Sequence, residues 1–186
     1  MNESQSSPSP TPIIQPIILD TNIIQYSANK AMKIEILEYF MDLWQRKFIL
    51  KISDITMFEI FSGSTVKQEE EIFKTLQLFP KYQVTNIVLL VAARISTLYG
   101  IEKLPNGEKK IANENISVPD KIIAATAIIT NSLVMTADIN HFPPPFLIGV
   151  ENKLIFYQKK RKQCLEHIML LQPNYPFILQ RFNNRP

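Results

Sequence analysis

Four carboxylates hold the chemistry that this sequence offers. Asp20 follows the apolar run Ile17-Ile18-Leu19, and Asp138 follows "LVMTA" at 133–137. Glu59 sits in "ITMFEIF" (55–61), three residues after Thr56 on the same helical face, and Asp120 opens "PDKIIAATA" (119–127). Taken singly, most have a plain reading. Asp20 could cap a helix, Asp120 could be a first-turn acid favoured by the helix dipole, and Asp138 could make an Asx turn. Glu59 is harder to dismiss, because a buried unpaired carboxylate is costly. Gathered at one edge of a sheet, the four would repel and raise one another's pKa. A divalent cation relieves that repulsion, and oxygen-only ligands point to Mg²⁺ or Mn²⁺ rather than zinc.

Positioning such a set needs alternating elements, and the sequence supplies them. Residues 16–19 read as a first buried strand, 48–53 as a second, 82–84 as a short third and 132–138 as a fourth. Between them, Ile34, Leu37, Met41 and Trp44 recur at helical spacing and predict a helix over 33–47. Ser53 or Asp54 caps a short helix ended by Gly63; residues 66–79 form a helix with an acidic first turn, and 85–100 form another. Pro119 fits the first turn of the helix that carries Asp120. Residues 101–110 read as a loop with a turn at Asn106-Gly107, and "FPPPFL" as a rigid extended loop. "KLIFYQ" (153–158) reads as a last strand before the basic run "KKRK". Strands alternating with helices predict an α/β fold with a mostly parallel sheet. Ligands of such sheets sit beyond the carboxyl ends of the strands, where Asp20 and Asp138 fall.

The 186 residues suit one domain, and a hydrophobic fraction of 46% provides a core. No apolar run approaches the length of a membrane span, and the Ser- and Pro-rich start lacks the pattern of a signal peptide, so a cytoplasmic protein is expected. The single Cys164 excludes an internal disulfide and a zinc site of two or more thiolates. Charge is uneven. Residues 151–186 carry seven Lys/Arg against two acids, whereas the other 150 residues carry 13 against 15. A basic end on an acidic body could hold a polyanion, or "KKRK" could be a solvated loop.

Four segments together resemble the PIN-domain family, in the form of VapC-like ribonuclease toxins. "IILDTNIIQY" resembles its opening strand with Asp-Thr-Asn. "ISDITMFEIFSG" resembles its Ser-x-x-Thr-x-x-Glu helix. "VPDKIIAATAI" resembles its Asp-x-x-Ile-Ala-Ala-x-Ala helix, and "LVMTADINHF" its closing Thr-x-Asp strand end. The resemblance implies a three-layer PIN-like fold, a mostly parallel sheet flanked by helices. It implies a nuclease domain over 16–158; composition reads 1–15 as a disordered tail rich in Ser and Pro, and 159–186 as a basic and apolar extension that the resemblance leaves largely uncovered. It also implies Mg²⁺- or Mn²⁺-dependent cleavage of RNA at one acidic pocket. Asp20 and Asp120 would be the principal metal ligands, with Glu59 and Asp138 completing the catalytic set. Thr136, Thr21, Asn22 and Thr56 would support them. An antitoxin covering the pocket and a homodimer are implied as well.

One departure matters. Many relatives carry a further acid just after the position of Asp138, where this chain has Asn140 and His141. His141 could contact a phosphate, titrate near neutral pH or hydrogen-bond a loop. For an RNA backbone the candidate contacts are Lys121, Lys159, Lys160, Arg161 and Lys162. Two rivals remain: a catalytically silent PIN-like interaction module and a structure-selective DNA nuclease. A haloacid dehalogenase-like enzyme would need an Asp where Asn22 stands, and no Gly-x-x-x-x-Gly-Lys loop exists for a nucleotide.

Overall fold

The structure, a computed structural model, describes residues 14–99, 102–103, 109–110, 116–142 and 146–183. The tail expected at 1–15 lies outside the described residues up to 13, as do Asn106-Gly107 and Pro143–Pro145.

The chain runs β1 (Pro16–Leu19), α1 (Thr21–Ala28), α2 (Lys33–Gln45), β2 (Ile49–Ser53), α3 (Asp54–Ser62), α4 (Val66–Leu76), β3 (Lys81–Tyr82) and α5 (Asn86–Tyr99). The short strands β4 (Glu102–Lys103) and β5 (Lys109–Lys110) pair with each other, within the stretch expected to be loop. Then come α6 (Val118–Thr130), β6 (Leu133–Thr136), a 3₁₀ turn (Ile139–His141), β7 (Leu147–Lys159), β8 (Lys162–Pro173) and α7 (Tyr175–Asn183).

Six strands form one sheet in the order β3-β2-β1-β6-β8-β7. β3, β2, β1 and β6 are mutually parallel, and β8 and β7 join antiparallel. The expected α/β fold, a mostly parallel sheet between helices, is present. β1 and β6 are fully buried beyond Pro16, as strands covered on both faces must be. One core packs Ile18 and Val134 against α5, α6 and α7 through Ile95, Ile123 and Ile178. The other packs Ile17, Leu19 and Met135 against α1, α2 and α4 through Ile23, Leu43 and Leu76. Successive strand side chains point to opposite faces, so one short strand serves both cores. Among the described residues no helix is long and apolar enough to cross a membrane.

Three expectations change. The helix over 33–47 exists, but Ile34, Leu37, Met41 and Trp44 are its exposed stripe; Ile36, Tyr39, Phe40 and Leu43 face the sheet. Helical spacing identified the helix, which ends at Gln45, and the stripe that revealed it is the solvent-facing one, because α2 carries two apolar stripes. The third strand is Lys81–Tyr82 rather than 82–84, since pairing with Ile52 and Ser53 selects that register. "KLIFYQ" is the end of a longer strand and is not the last one. "KKRK" turns a hairpin, Lys159 pairing with Lys162 across Lys160 and Arg161. The returning strand β8, within the stretch assigned to an extension, inserts between β6 and β7.

Candidate active site

The carboxyl ends of β1 and β6 lie side by side, Leu19 in register with Met135, so the residues that follow them meet. Asp20 is both a cap and a cavity residue. It caps α1, accepting from Thr21 N at 2.7 Å through Oδ1, while Oδ2 accepts from Thr136 Oγ1 and Asn22 Nδ2, each at 2.7 Å. Asn22 Oδ1 in turn accepts from Ala137 N at 3.1 Å, tying α1 to the end of β6. Thr136 Oγ1 also accepts from Asp138 N at 3.0 Å.

Glu59 arrives from α3, and its Oε2 accepts a short hydrogen bond from Thr21 Oγ1 at 2.5 Å. Thr56, fully buried, donates to the carbonyl of Leu19 at 3.4 Å and so pins α3 to the end of β1. Asp120 lies in the first turn of α6 in a reciprocal cap. Ser117 Oγ accepts from Asp120 N at 3.2 Å and donates to Asp120 Oδ2 at 2.6 Å. Asp138 caps the 3₁₀ turn, its Oδ1 accepting from Asn140 N at 3.1 Å. The cap, first-turn and Asx readings therefore all hold, and they hold the same carboxylates in place for the site.

Asp20, Glu59, Asp120 and Asp138 line one cavity of about 450 Å³, together with Thr21, Asn22, Ser117 and His141. Thr136 sits beneath it through its bond to Asp20. Lys121 is not among the residues lining the cavity, and the four basic residues of the hairpin turn are exposed on the hairpin's tip. Sequence reasoning missed Ser117, which the spacing Ser-x-x-Asp could have shown. It also missed Tyr26 and Glu166, which line the same cavity. Glu166 enters from β8, so a fifth carboxylate reaches the site from a strand that no motif announced. Burial, then the neighbouring Glu166, pushes the Tyr26 hydroxyl up to about 12. A larger cavity, about 510 Å³, lies among α1, α3 and α4, but Glu71 is its only charged lining residue.

The electrostatics are those of crowded acids. Burial pushes Asp20 up to about 6; hydrogen bonds from Thr136 and Thr21 oppose the rise, and the charges of Asp120 and Glu59 add to it. Burial also raises Glu59 and Asp120, which feel Asp120 and Asp138 respectively, against the opposing pull of His141. Among the described residues no three His, Cys, Asp or Glu side chains already converge at metal-holding distances. The donor set nevertheless suits a hard divalent ion. Oxygen donors ring a cavity with room for water, and Mg²⁺ characteristically keeps several waters while binding one or two carboxylates. Asp20 and Asp120 are the most buried of the four acids and would hold it.

No family model and no curated protein matches the chain. Solved structures do. The VapBC2 complex from Rickettsia felis, bound to a DNA fragment from its promoter, is similar over 69% of this chain and 91% of that one, with 20% identity and a TM-score of 0.50. FitAB bound to the IR36 DNA fragment is similar over 68% of this chain and 87% of that one, with 24% identity and a TM-score of 0.51. This likeness is one of fold.

Proposed function

We propose that the chain is a metal-dependent endoribonuclease and the toxin of a toxin–antitoxin pair. The observation that carries this reading is the arrival of four carboxylates from four separate elements in one cavity. A divalent ion at Asp20 and Asp120, Mg²⁺ or Mn²⁺, supplies Lewis-acid polarisation of a phosphate oxygen and a more acidic water. The chain's own residues do the rest. Thr136, Asn22 and the Thr21 amide fix the Asp20 carboxylate, and Ser117 fixes Asp120. Glu59 or Asp138 accepts the proton of the attacking water. For Glu59, the raised pKa brings it towards the neutral range where a general base works best. The water oxygen bonds to phosphorus as the bond to the 3′ oxygen breaks, and the leaving 3′ oxygen takes up a proton from solvent, giving a 5′-phosphate and a 3′-hydroxyl.

Lys159, Lys160, Arg161 and Lys162, on a hairpin whose β8 also supplies Glu166 to the cavity, would steer the RNA backbone. The fold shared with VapBC2 and FitAB supports an antitoxin partner, whose helix or basic side chain would cover the acids. The exposed stripe Ile34, Leu37, Met41 and Trp44 supports a homodimer through α2.

The test is cleavage of RNA by the purified protein with Mg²⁺, with Mn²⁺ and with chelator. Asp20→Ala should lower the metal-dependent rate on the order of a thousandfold, the several kcal/mol that an ion supplies. Equal cutting by the two proteins would sink the mechanism. No cleavage of any RNA under any of the three conditions would favour an interaction module.

A further inference from the structure

The six-stranded sheet has two edges of different kinds. β3, at one end, is two residues long, too short to serve as a pairing template. β7, at the other end, is 13 residues long, against about 5–6 for an ordinary strand. Among the described residues only β8 pairs with it. A long open edge is a template for another strand, and sheets blunt it with bulges, proline or brevity. β7 has one such device, the register shift between Gly149 and Glu151. From Glu151 to Lys159 it then runs without bulge or proline.

The hairpin turn fixes which backbone groups that run leaves open. Lys159 pairs with Lys162 across a two-residue turn, and such a turn closes on a hydrogen-bonded pair. Bonding alternates along a strand, so Tyr157, Ile155 and Lys153 also bond inward to β8, and Asn152, Leu154, Phe156 and Gln158 turn their N–H and C=O groups outward. Leu154 and Phe156 are 42% and 54% exposed, and Leu165, opposite Phe156 on β8, is 45% exposed. These three share the face away from Ile155, which is buried in the core beneath α2.

The geometry points to a second copy of this chain as the occupant of that edge, with β7 pairing antiparallel to its own counterpart about a twofold axis at Ile155. In that register every pair agrees. Glu151 meets Lys159 of the second copy, Asn152 meets Gln158, Lys153 meets the Tyr157 ring and Leu154 meets Phe156, and the twofold repeats each contact. The apolar pair Leu165 and Phe156 of one copy continues into Leu154 of the other. Glu151 can take the added cation: its Oε1 accepts from Tyr39 and Arg46, whereas its Oε2 accepts from Arg46 alone. Lys159 has no ion-pair partner among the described residues. Moving the axis by one residue spoils the match. Centred on Phe156, Lys153 meets Lys159; centred on Leu154, Asn152 meets Phe156 and Glu151 meets Tyr157. A foreign strand would have to reproduce this order of charged, amide and apolar groups, which the chain's own β7 already carries. The exposed stripe of α2 is a separate surface, since Tyr39, the α2 residue that bonds Glu151, is on that helix's buried side.

The inference is independent of the nuclease reading, and its test uses the full chain without metal or RNA. Amide hydrogen exchange is followed at low and at high micromolar protein. The amides of Asn152, Leu154, Phe156 and Gln158 should gain protection as concentration rises, while those of Lys153, Ile155 and Tyr157 stay protected throughout. Two charge variants test the register. Lys159→Glu sets acid against acid at both ends of the seam, and Glu151→Lys sets cation against cation. Each alone should self-associate about tenfold more weakly in sedimentation, and an equimolar mixture, which restores opposite charges at both ends, should associate like the parent. Lys159 is exposed and Glu151 half-buried, so circular dichroism should show both variants folded. Leu154→Pro, which removes an outward N–H and is tolerated on an open edge, should abolish the concentration dependence and keep the hairpin. Trp44→Glu, on the α2 stripe, should leave that dependence in place. Outward amides that exchange at the same rate at every concentration overturn the inference, as does a mixture that associates no more strongly than its components. Protection lost in Trp44→Glu assigns the contact to α2 and overturns it as well.

Discussion

Thr136 donates its hydroxyl to Asp20 Oδ2 at 2.7 Å, joining the ends of β6 and β1 through a buried charge-assisted hydrogen bond. The bond opposes the rise in the Asp20 pKa that burial causes. Thr136→Val keeps the shape and removes the donor. We expect a loss of about 1.5–3 kcal/mol in urea unfolding, the range for hydrogen bonds to charged groups. Cleavage at pH 7 should also fall, because less Asp20 is ionised. Unchanged stability would show that the bond contributes nothing.

Ser117 serves Asp120 twice, as cap acceptor and as donor to the carboxylate. Ser117→Ala should cost about 1 kcal/mol, as lost helix caps do. It should also weaken divalent-ion binding, because Asp120 is freed to move. Calorimetric titration with Mg²⁺ reads the second effect. Loss of stability without loss of ion affinity would make Ser117 a cap only.

The crowded acids set a pH dependence of known sign. Asp20, at about 6 in the folded chain against 3.8 for the free side chain, binds more protons folded than unfolded between those values. Folding stability from this group is therefore greatest below pH 3.8 and declines as pH rises towards 6, by about 3 kcal/mol in total. Glu59 and Asp120 are raised and act in the same direction. Metal-free parent and Asp20→Asn, compared by denaturant unfolding at pH 4 and pH 7, should show the difference moving in favour of the Asn variant by about that amount. A pH-independent difference would mean that Asp20 is ionised freely in the folded chain. At pH 7 an added divalent ion should raise the melting temperature of the parent, by binding the folded state alone.

The hairpin turn places Lys160 and Arg161 at φ 47° and 68°, in the left-handed region that Asn and Gly occupy most easily. Lys160→Asn with Arg161→Gly should keep or raise the melting temperature while removing two cations. If the tip holds RNA, affinity falls and the slope of log K against log salt shrinks by about 1.4, from about 0.7 per lost phosphate contact on single strands. An unchanged slope would place the RNA elsewhere.

The legible parts of this protein were those where composition changes abruptly. Leu19-Asp20 and Ala137-Asp138 each end an apolar run on an acid, and that contrast marks both the strand and the site. Glu59 and Asp120 stood out because their neighbours are apolar. The hairpin was not legible. Its turn has no Gly or Asn, and two cations hold the positive-φ positions instead. In β8 the exposed Leu165 and the half-buried Glu166 break the alternation that would announce a strand. Glu166 could be assigned to the cavity only once β8 was seen beside β6. The orientation of α2 was hidden for the opposite reason. Both of its faces are apolar, and only contact with the sheet chooses between them.

β8 lies between β6 and β7, so β7 has no partner in the sheet until β8 has been made. During synthesis, a chain that has emerged only as far as Lys159 carries β6 as an open edge and has no Glu166 beside the other acids. The cavity gains its last wall only when the final strand emerges. On the ribosome, surrounded by RNA, the acids carried by the earlier elements thus stand without their fifth member until β8 has emerged.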